Sequence, residues 1–323
     1  MPYTRRGALS ALILAMGLPF AAMAQSTAAD QAIKLVVPWP PGGSADALGR
    51  QIALALSAGL GQNVYVENVA GASGNIGTAN ALRAAPDGRT LLLATSTTNS
   101  AGPSLFTKLP FHPVNDFVPI SLAAVAPSVL IVSATSPYKS VKDIVDAAKA
   151  KPGQLTYGSG GNGNSGHLSA ALFASTFGFQ AMHVPYKGNT PATIDLLGGQ
   201  IDFMFDNNPV GMVKGGKARA LATTGDQRTA ALPEVPTFKE LGWPAVNLTT
   251  WFGLAAPKGT PPAVAERVHA ALVDGLKKID ANKRLQELGF EVKTQSPADF
   301  QVFWNAELER YRGLVKLSGA KVE

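Results

Sequence analysis

Gly158-Ser-Gly-Gly-Asn-Gly-Asn-Ser-Gly166 decides how this chain is read. Five glycines fall in nine residues. The apolar run Leu155-Thr-Tyr157 before them reads as a strand, and a helix is predicted from about Ser165 to Phe177. Glycine lets the backbone come close to a ligand, and the free N–H groups of a helix's first turn attract anions. Ser159, Gly161, Asn164, Ser165 and His167 are therefore candidate binding residues. Gly158-x-Gly160-x-x-Gly163 formally matches a dinucleotide fingerprint, which needs an acidic residue at the end of the following strand. That strand ends His183-Val-Pro-Tyr-Lys187, without an acid, so a nucleotide cofactor is not expected.

A second stretch of the same grammar lies upstream. Ile33-Lys-Leu-Val-Val37 reads as a strand, Pro38-Trp-Pro-Pro-Gly-Gly43 as a loop, and Ser44 as the cap of a helix to about Leu60. Trp39, Gly42, Gly43, Ser44 and Asp46 are candidates there. Ser96 and Thr97 join them from the loop after the buried run Thr90–Ala94. Asp206 ends the apolar run Ile201–Phe205, where α/β proteins collect polar groups. It is expected to accept N–H bonds across a cleft, or to bind an ammonium group if the ligand has one.

Strand and helix patterns alternate along the rest of the chain, the mark of an α/β fold. Ser140-Val-Lys-Asp143 is a capping box, and Thr190-Pro191 reads as cap and first turn of a helix to Leu197. Extended crossings near 118–130 and 246–255 suggest a middle block inserted between two halves of an outer one, two lobes joined by a pair of hinge strands. The boundaries are placed at 25–124 with 250–323 for one lobe and 125–249 for the other.

Composition removes most alternatives. The 323 residues contain no cysteine, which excludes thiol catalysis, disulfides and thiolate metal sites. The four histidines show no paired ligand spacing, so no metal is expected. Charged residues are 15% and the net charge is +6, with basic residues scattered; a nucleic-acid binder concentrates its charge to neutralise phosphates. Gly211–Lys217 resembles a P-loop, but Ala218 stands where Ser or Thr must bind magnesium. No G-x-S-x-G elbow is present. Arg5 and Arg6, the apolar run from Ala8 and Ala22-Met-Ala24 form a secretory signal peptide, with cleavage expected after Ala24. Thr4-Arg-Arg-Gly-Ala-Leu9 matches a twin-arginine signal only in part, so Sec export is expected.

Eight stretches in order resemble the substrate-binding proteins of tripartite tricarboxylate transporters, the Bug family. They include Val37–Asp46, Asn68–Gly77, Pro86–Leu93, Lys108–Phe117, Tyr157–Leu168, Val184-Pro-Tyr-Lys-Gly, Asp195–Asn207 and Trp251-Phe-Gly-Leu-Ala-Ala-Pro. The resemblance implies a periplasmic two-lobed Venus-flytrap fold of type II. It further implies a monomeric receptor without cofactor, passing a small organic carboxylate to membrane permease subunits. Family members hold the carboxylate through backbone N–H groups, hydroxyls and bridging waters, without an obligatory arginine. Trp39 and Asn164 depart from common family choices, so the ligand is not inherited. The rival expectations are a sensor of the same fold and a periplasmic α/β hydrolase.

Overall fold

The computed structural model describes residues 32–321; the signal-peptide expectation and its cleavage site lie outside them. In chain order the first part comprises β1 (Ile33–Val37), α1 (Ser44–Leu60), β2 (Val64–Asn68), α2 (Asn75–Leu82), β3 (Thr90–Thr95), α3 (Gly102–Leu105) and β4 (Phe117–Pro127). Next come β5 (Val129–Ser133), α4 (Val141–Ala150), β6 (Thr156–Ser159), α5 (Ser165–Phe177), β7 (Met182–Pro185) and α6 (Asn189–Leu197). They are followed by β8 (Phe203–Asp206), α7 (Val210–Lys214) and β9 (Ala218–Thr223). The chain ends with β10 (Thr249–Pro257), α8 (Pro262–Lys278), α9 (Ala281–Glu287), β11 (Glu291–Val292) and α10 (Pro297–Ser318).

Two sheets result. One has the order β11-β4-β10-β3-β1-β2, the other β7-β6-β8-β5-β9. The chain leaves the first sheet at the end of β4 and enters the second one residue later, past Ser128; it returns along β10, which pairs antiparallel with β4. These are the two extended crossings that the sequence pattern suggested.

Both faces of the inner strands are covered, so β3, β4, β5 and β10 are buried almost throughout. Successive side chains still point to opposite sides. Leu35, Val37, Leu91 and Leu93 pack under α1 and α8, whereas Val36, Leu92 and Ala94 share a core with Trp251, Phe300, Trp304 and Tyr311. In the second sheet Leu130, Val132, Phe203 and Phe205 face α4 and α5, while Val129, Ile131 and Met204 face α6. Leu168 of α5 is buried in the Trp251–Trp304 core and Leu172 packs against it, so a helix of the second lobe seats side chains in the first.

Two local expectations change. Ser44 does not cap α1: it is the first helical residue, and Gly43 holds the cap position without a side-chain bond. The capping work passes to Asp46, whose carboxylate reaches back to the Gly42 N–H at 3.0 Å. A carboxylate in the first turn serves better here because it also meets the helix dipole. Helix α6 starts at Asn189, after Gly188 at φ 106°, so Thr190 and Pro191 lie inside its first turn. The left-handed glycine, not the threonine, sets that boundary.

Helices α1 and α8 touch backbone to backbone. A Cβ at Gly275 falls 1.8 Å from the Ala55 carbonyl oxygen, and one at Gly59 falls 2.0 Å from that of Ala271. Overpacking a tight contact costs about 1–3 kcal/mol. Gly275→Ala is expected to lower the melting temperature by several degrees, at about 2–4 °C per kcal/mol for a chain of this size. Gly313→Ala, with open space around it on α10, serves as the control and should leave the thermal midpoint unchanged or raised.

Candidate functional site

Strand order places the site. In the first sheet β1 pairs in parallel with β2 on one side and β3 on the other. In the second, β6 pairs in parallel with β7 on one side and β8 on the other. Each lobe thus has a switch point, between β1 and β3 and between β6 and β8, where the loops leaving neighbouring strands diverge. Open α/β sheets bind ligands in that crevice, at the carboxyl ends of the strands. Trp39, Gly42, Gly43, Ser44 and Asp46 follow β1, and Ser96 and Thr97 follow β3. Ser159, Gly161, Asn164, Ser165 and His167 end or follow β6, and Asp206 ends β8. Two cavities elsewhere, of about 290 and 370 Å³, contain none of these residues.

In the first lobe the exposed glycines 42 and 43 offer backbone, and the side chains behind them are occupied. Asp46 is buried, and one oxygen accepts from Gly42 N and from Arg50 Nε, both at 3.0 Å. Burial alone would raise its pKa, but those hydrogen bonds outweigh it and hold the carboxylate below its usual range. The Trp39 ring packs against the core under α1, while its carbonyl accepts from Asn68 Nδ2 at 3.1 Å. After β3 the chain forms a widened π turn over Thr97–Ala101, entirely buried. Such turns are rare and concentrate at functional positions. Around it, Asn75 Oδ1, Thr78 Oγ1, Asn99 Nδ2 and Ser100 Oγ are buried with no protein partner among the described residues. The sequence reading missed this polar floor. The Ser-Gly-Asn run 73–75, with Gly71 and Gly74 at positive φ, was its signal.

In the second lobe the loop is braced from below. Asn164 caps α5, its Oδ1 accepting from His167 N at 2.9 Å. Its Nδ2 donates to Asn189 Oδ1 at 3.3 Å, and Asn189 Nδ2 donates to Asp206 Oδ1 at 3.1 Å. Asn189, absent from the sequence reading, therefore joins the loops after β6, β7 and β8. Asp206 also accepts from Asn208 N, within its own lobe. Its burial raises the pKa against these hydrogen bonds. Ser159 Oγ donates to the Gly161 carbonyl at 3.1 Å and meets His183 Nε2 at 2.7 Å. Gly163 N donates to His167 Nδ1 at 3.0 Å, so neutral His167 carries its proton on Nε2. The rings of His167 and His183 stack at 3.8 Å, and Tyr157 stacks on His183 at 4.9 Å. Desolvation lowers the His167 pKa to about 4; desolvation and the neighbouring His167 lower that of His183 to about 3. Both rings are neutral near pH 7 and prop the loop, His167 accepting from Gly163 N and His183 donating from Nε2 to Ser159 Oγ, whose own proton goes to the Gly161 carbonyl.

Two glycine-lined helix starts, one per sheet, each stand at a switch point, the arrangement that attracts a small anion. Residues 48–319 match the family model described as the tripartite tricarboxylate transporter family receptor. The chain belongs to that family. Protein BugT of Bordetella pertussis is 33% identical over the full length of both chains. Among solved structures, Rpa4515 of R. palustris with adipate superposes at a TM-score of 0.84, 33% identical, covering 90% of this chain and 98% of that one. MatC of Rhodopseudomonas palustris with bound malate superposes at 0.79, 30% identical, covering 88% and 98%. This family's fold is the two-lobed solute-binding fold, and its members are receptors rather than enzymes. The hydrolase expectation falls with that. Among the described residues no helix is long and apolar enough to cross a membrane.

Proposed function

We propose that this receptor captures a small organic carboxylate in the periplasm and delivers it, as a monomer, to the permease subunits of a tripartite tricarboxylate-type transporter. Export with cleavage after Ala24 precedes capture. The lobes 25–124 with 250–323 and 125–249 close over the ligand about the two crossings. The observation that carries this reading is the pairing of two switch-point loops, after β1 and after β6, each opening a helix of 13 or more residues. The exposed Gly43 amide and the half-buried loop around Gly161 donate to the carboxylate oxygens, the Gly42 and Gly161 N–H groups themselves being bonded to Asp46 Oδ2 and Ser159 Oγ, with Ser44, Ser96 and Thr97 contributing hydroxyls.

Helix-terminus contacts are each worth about 0.3–1 kcal/mol when exposed and up to ~2 when partly buried. Several of them, with bridging waters, reach roughly −8 kcal/mol, a micromolar affinity. Malate and adipate, held by relatives, head the test panel. A ligand at one hundred times its Kd adds about 2.7 kcal/mol to stability, a rise of several degrees at the slope given above. Thermal melts against C4–C8 dicarboxylates, tricarboxylates, aromatic acids and acidic amino acids are expected to show that rise for at least one chemical series. No shift with any acid at millimolar concentration overturns the reading.

A further inference from the structure

We propose that Asn207 sets the angle between the two lobes and carries the state of the second glycine loop to the crossing strands. The residue follows Asp206 at the end of β8 and is buried. Its Oδ1 accepts from Ser165 Oγ at 2.7 Å, at the first residue of α5. Its Nδ2 lies 3.1 Å from the Ala126 carbonyl, 3.1 Å from Ser128 Oγ and 3.2 Å from Thr250 Oγ1. A carbonyl can only accept, which fixes the orientation of the amide. One side chain thus ties together the ligand loop, the last turn of β4, the crossing residue and the start of β10.

The second crossing is fastened at the same place. Ser128 N donates to Thr224 Oγ1 at 2.9 Å, and that hydroxyl donates to the Leu248 carbonyl at 2.6 Å. Ser169 of α5 donates to Ser128 Oγ at 3.2 Å. Ser128, Ser169, Thr224 and Thr250 are all buried. Buried polar groups are costly unless bonded, so a knot of this kind specifies one geometry.

The count of protons makes it more than a brace. The Asn207 amide has two N–H bonds and three acceptors within reach. As the lobes turn, it can exchange Thr250 or Ala126, in strands of the first sheet, for Ser128 at the crossing, and no buried N–H is left empty. That gives two arrangements of similar energy on a packed joint, the element that a closing motion needs. Ser165 reads the loop side: its hydroxyl turns to Asn207, leaving its N–H at the helix start.

The inference rests on the capture reading for its consequence, but its measurement needs no ligand. The chain has no cysteine, so Asn80→Cys and Gln200→Cys, both exposed and one in each lobe, give a clean donor–acceptor pair for single-molecule energy transfer. In the ligand-free protein, Asn207→Ala is expected to broaden the interlobe distance distribution at least twofold. Thr250→Val and Ser165→Ala should broaden it less, and Ser165→Thr, which keeps the hydroxyl, should restore the wild-type width. If Asn207→Ala does not fold, Thr250→Val and Ser165→Ala decide, since each retains the local shape. Distributions that superpose on wild type in folded variants overturn the proposal. Failure of adipate to bind bears on the carboxylate reading alone and leaves the distance measurement standing.

Discussion

Stability is expected to fall steeply as pH drops from about 6.5 to about 4, and removing two histidines should flatten that fall. The folded protein holds His167 and His183 neutral, at pKa values of about 4 and 3 against an ordinary 6.5. Between those limits the unfolded chain binds protons that the folded chain refuses. Stability therefore rises with pH across this window and is fully present above 6.5. At about 1.4 kcal/mol per pH unit, His167 alone accounts for roughly 3 kcal/mol. The two rings share one stack, so their effects are not additive. Asp206 and Glu307 act in the opposite sense, because burial raises both carboxyls and acid relieves them. The comparison that isolates the histidines is wild type against the His167→Phe/His183→Phe double variant, melted at half-unit steps from pH 7.5 to 4. The variant keeps stacked rings and loses the bonds to Gly163 N and Ser159 Oγ. It should be less stable at pH 7.5, by about 1–2 kcal/mol for lost buried bonds, yet lose less on acidification. Parallel curves for the two proteins contradict the assignment of the acid loss to this pair.

Much of this was legible in the chain. The strand–glycine–helix grammar at 33–60 and 155–177 survives: α5 runs over the expected residues, and α1 differs only in that Gly43 rather than Ser44 stands at its cap. The crossings were visible because β4 and β10 are long apolar runs that a surface loop does not tolerate. What the sequence hid was direction. A Ser or Asn beside a glycine loop reads as a ligand contact, yet Asn164, Ser165 and His167 spend their side chains on the cap, on Asn207 and on Gly163. Linear spacing cannot show this, since Asn189 and Asn207 lie 25 and 42 residues downstream of their partners. The π turn at 97–101 was equally hidden, because its Thr-Thr-Asn-Ser run carries no helical period.

Gly161→Val is expected to abolish carboxylate binding while costing the fold only a few degrees. Gly161 sits at φ 131°, a conformation open to glycine and closed to a β-branched residue. Its carbonyl accepts from Ser159 Oγ and, at 3.3 Å, from Asn164 N, the cap of α5. Valine must rotate the backbone to negative φ, which swings that carbonyl and the adjoining amides away from the helix axis. Strain of this kind is worth about 1–3 kcal/mol. The nearest obstacle to a new Cβ is the Tyr186 carbonyl at 3.3 Å, a contact the half-buried loop can relieve by shifting outward. Binding has no such escape, because losing two or more aligned amides removes about 3 kcal/mol, which is more than a hundredfold in affinity. Gly163→Val separates the two effects. There the new Cβ falls 2.1 Å from Leu105 Cδ1, across the lobes, so the main loss should be stability. Gly42→Ala has no heavy atom within 4 Å and only its φ of 82° against it; it should weaken binding about tenfold. Calorimetric titration with the acid giving the largest thermal shift ranks the three. Wild-type affinity in folded Gly161→Val means that the anion meets some other part of the second lobe, and the loop after β6 is then a structural turn alone.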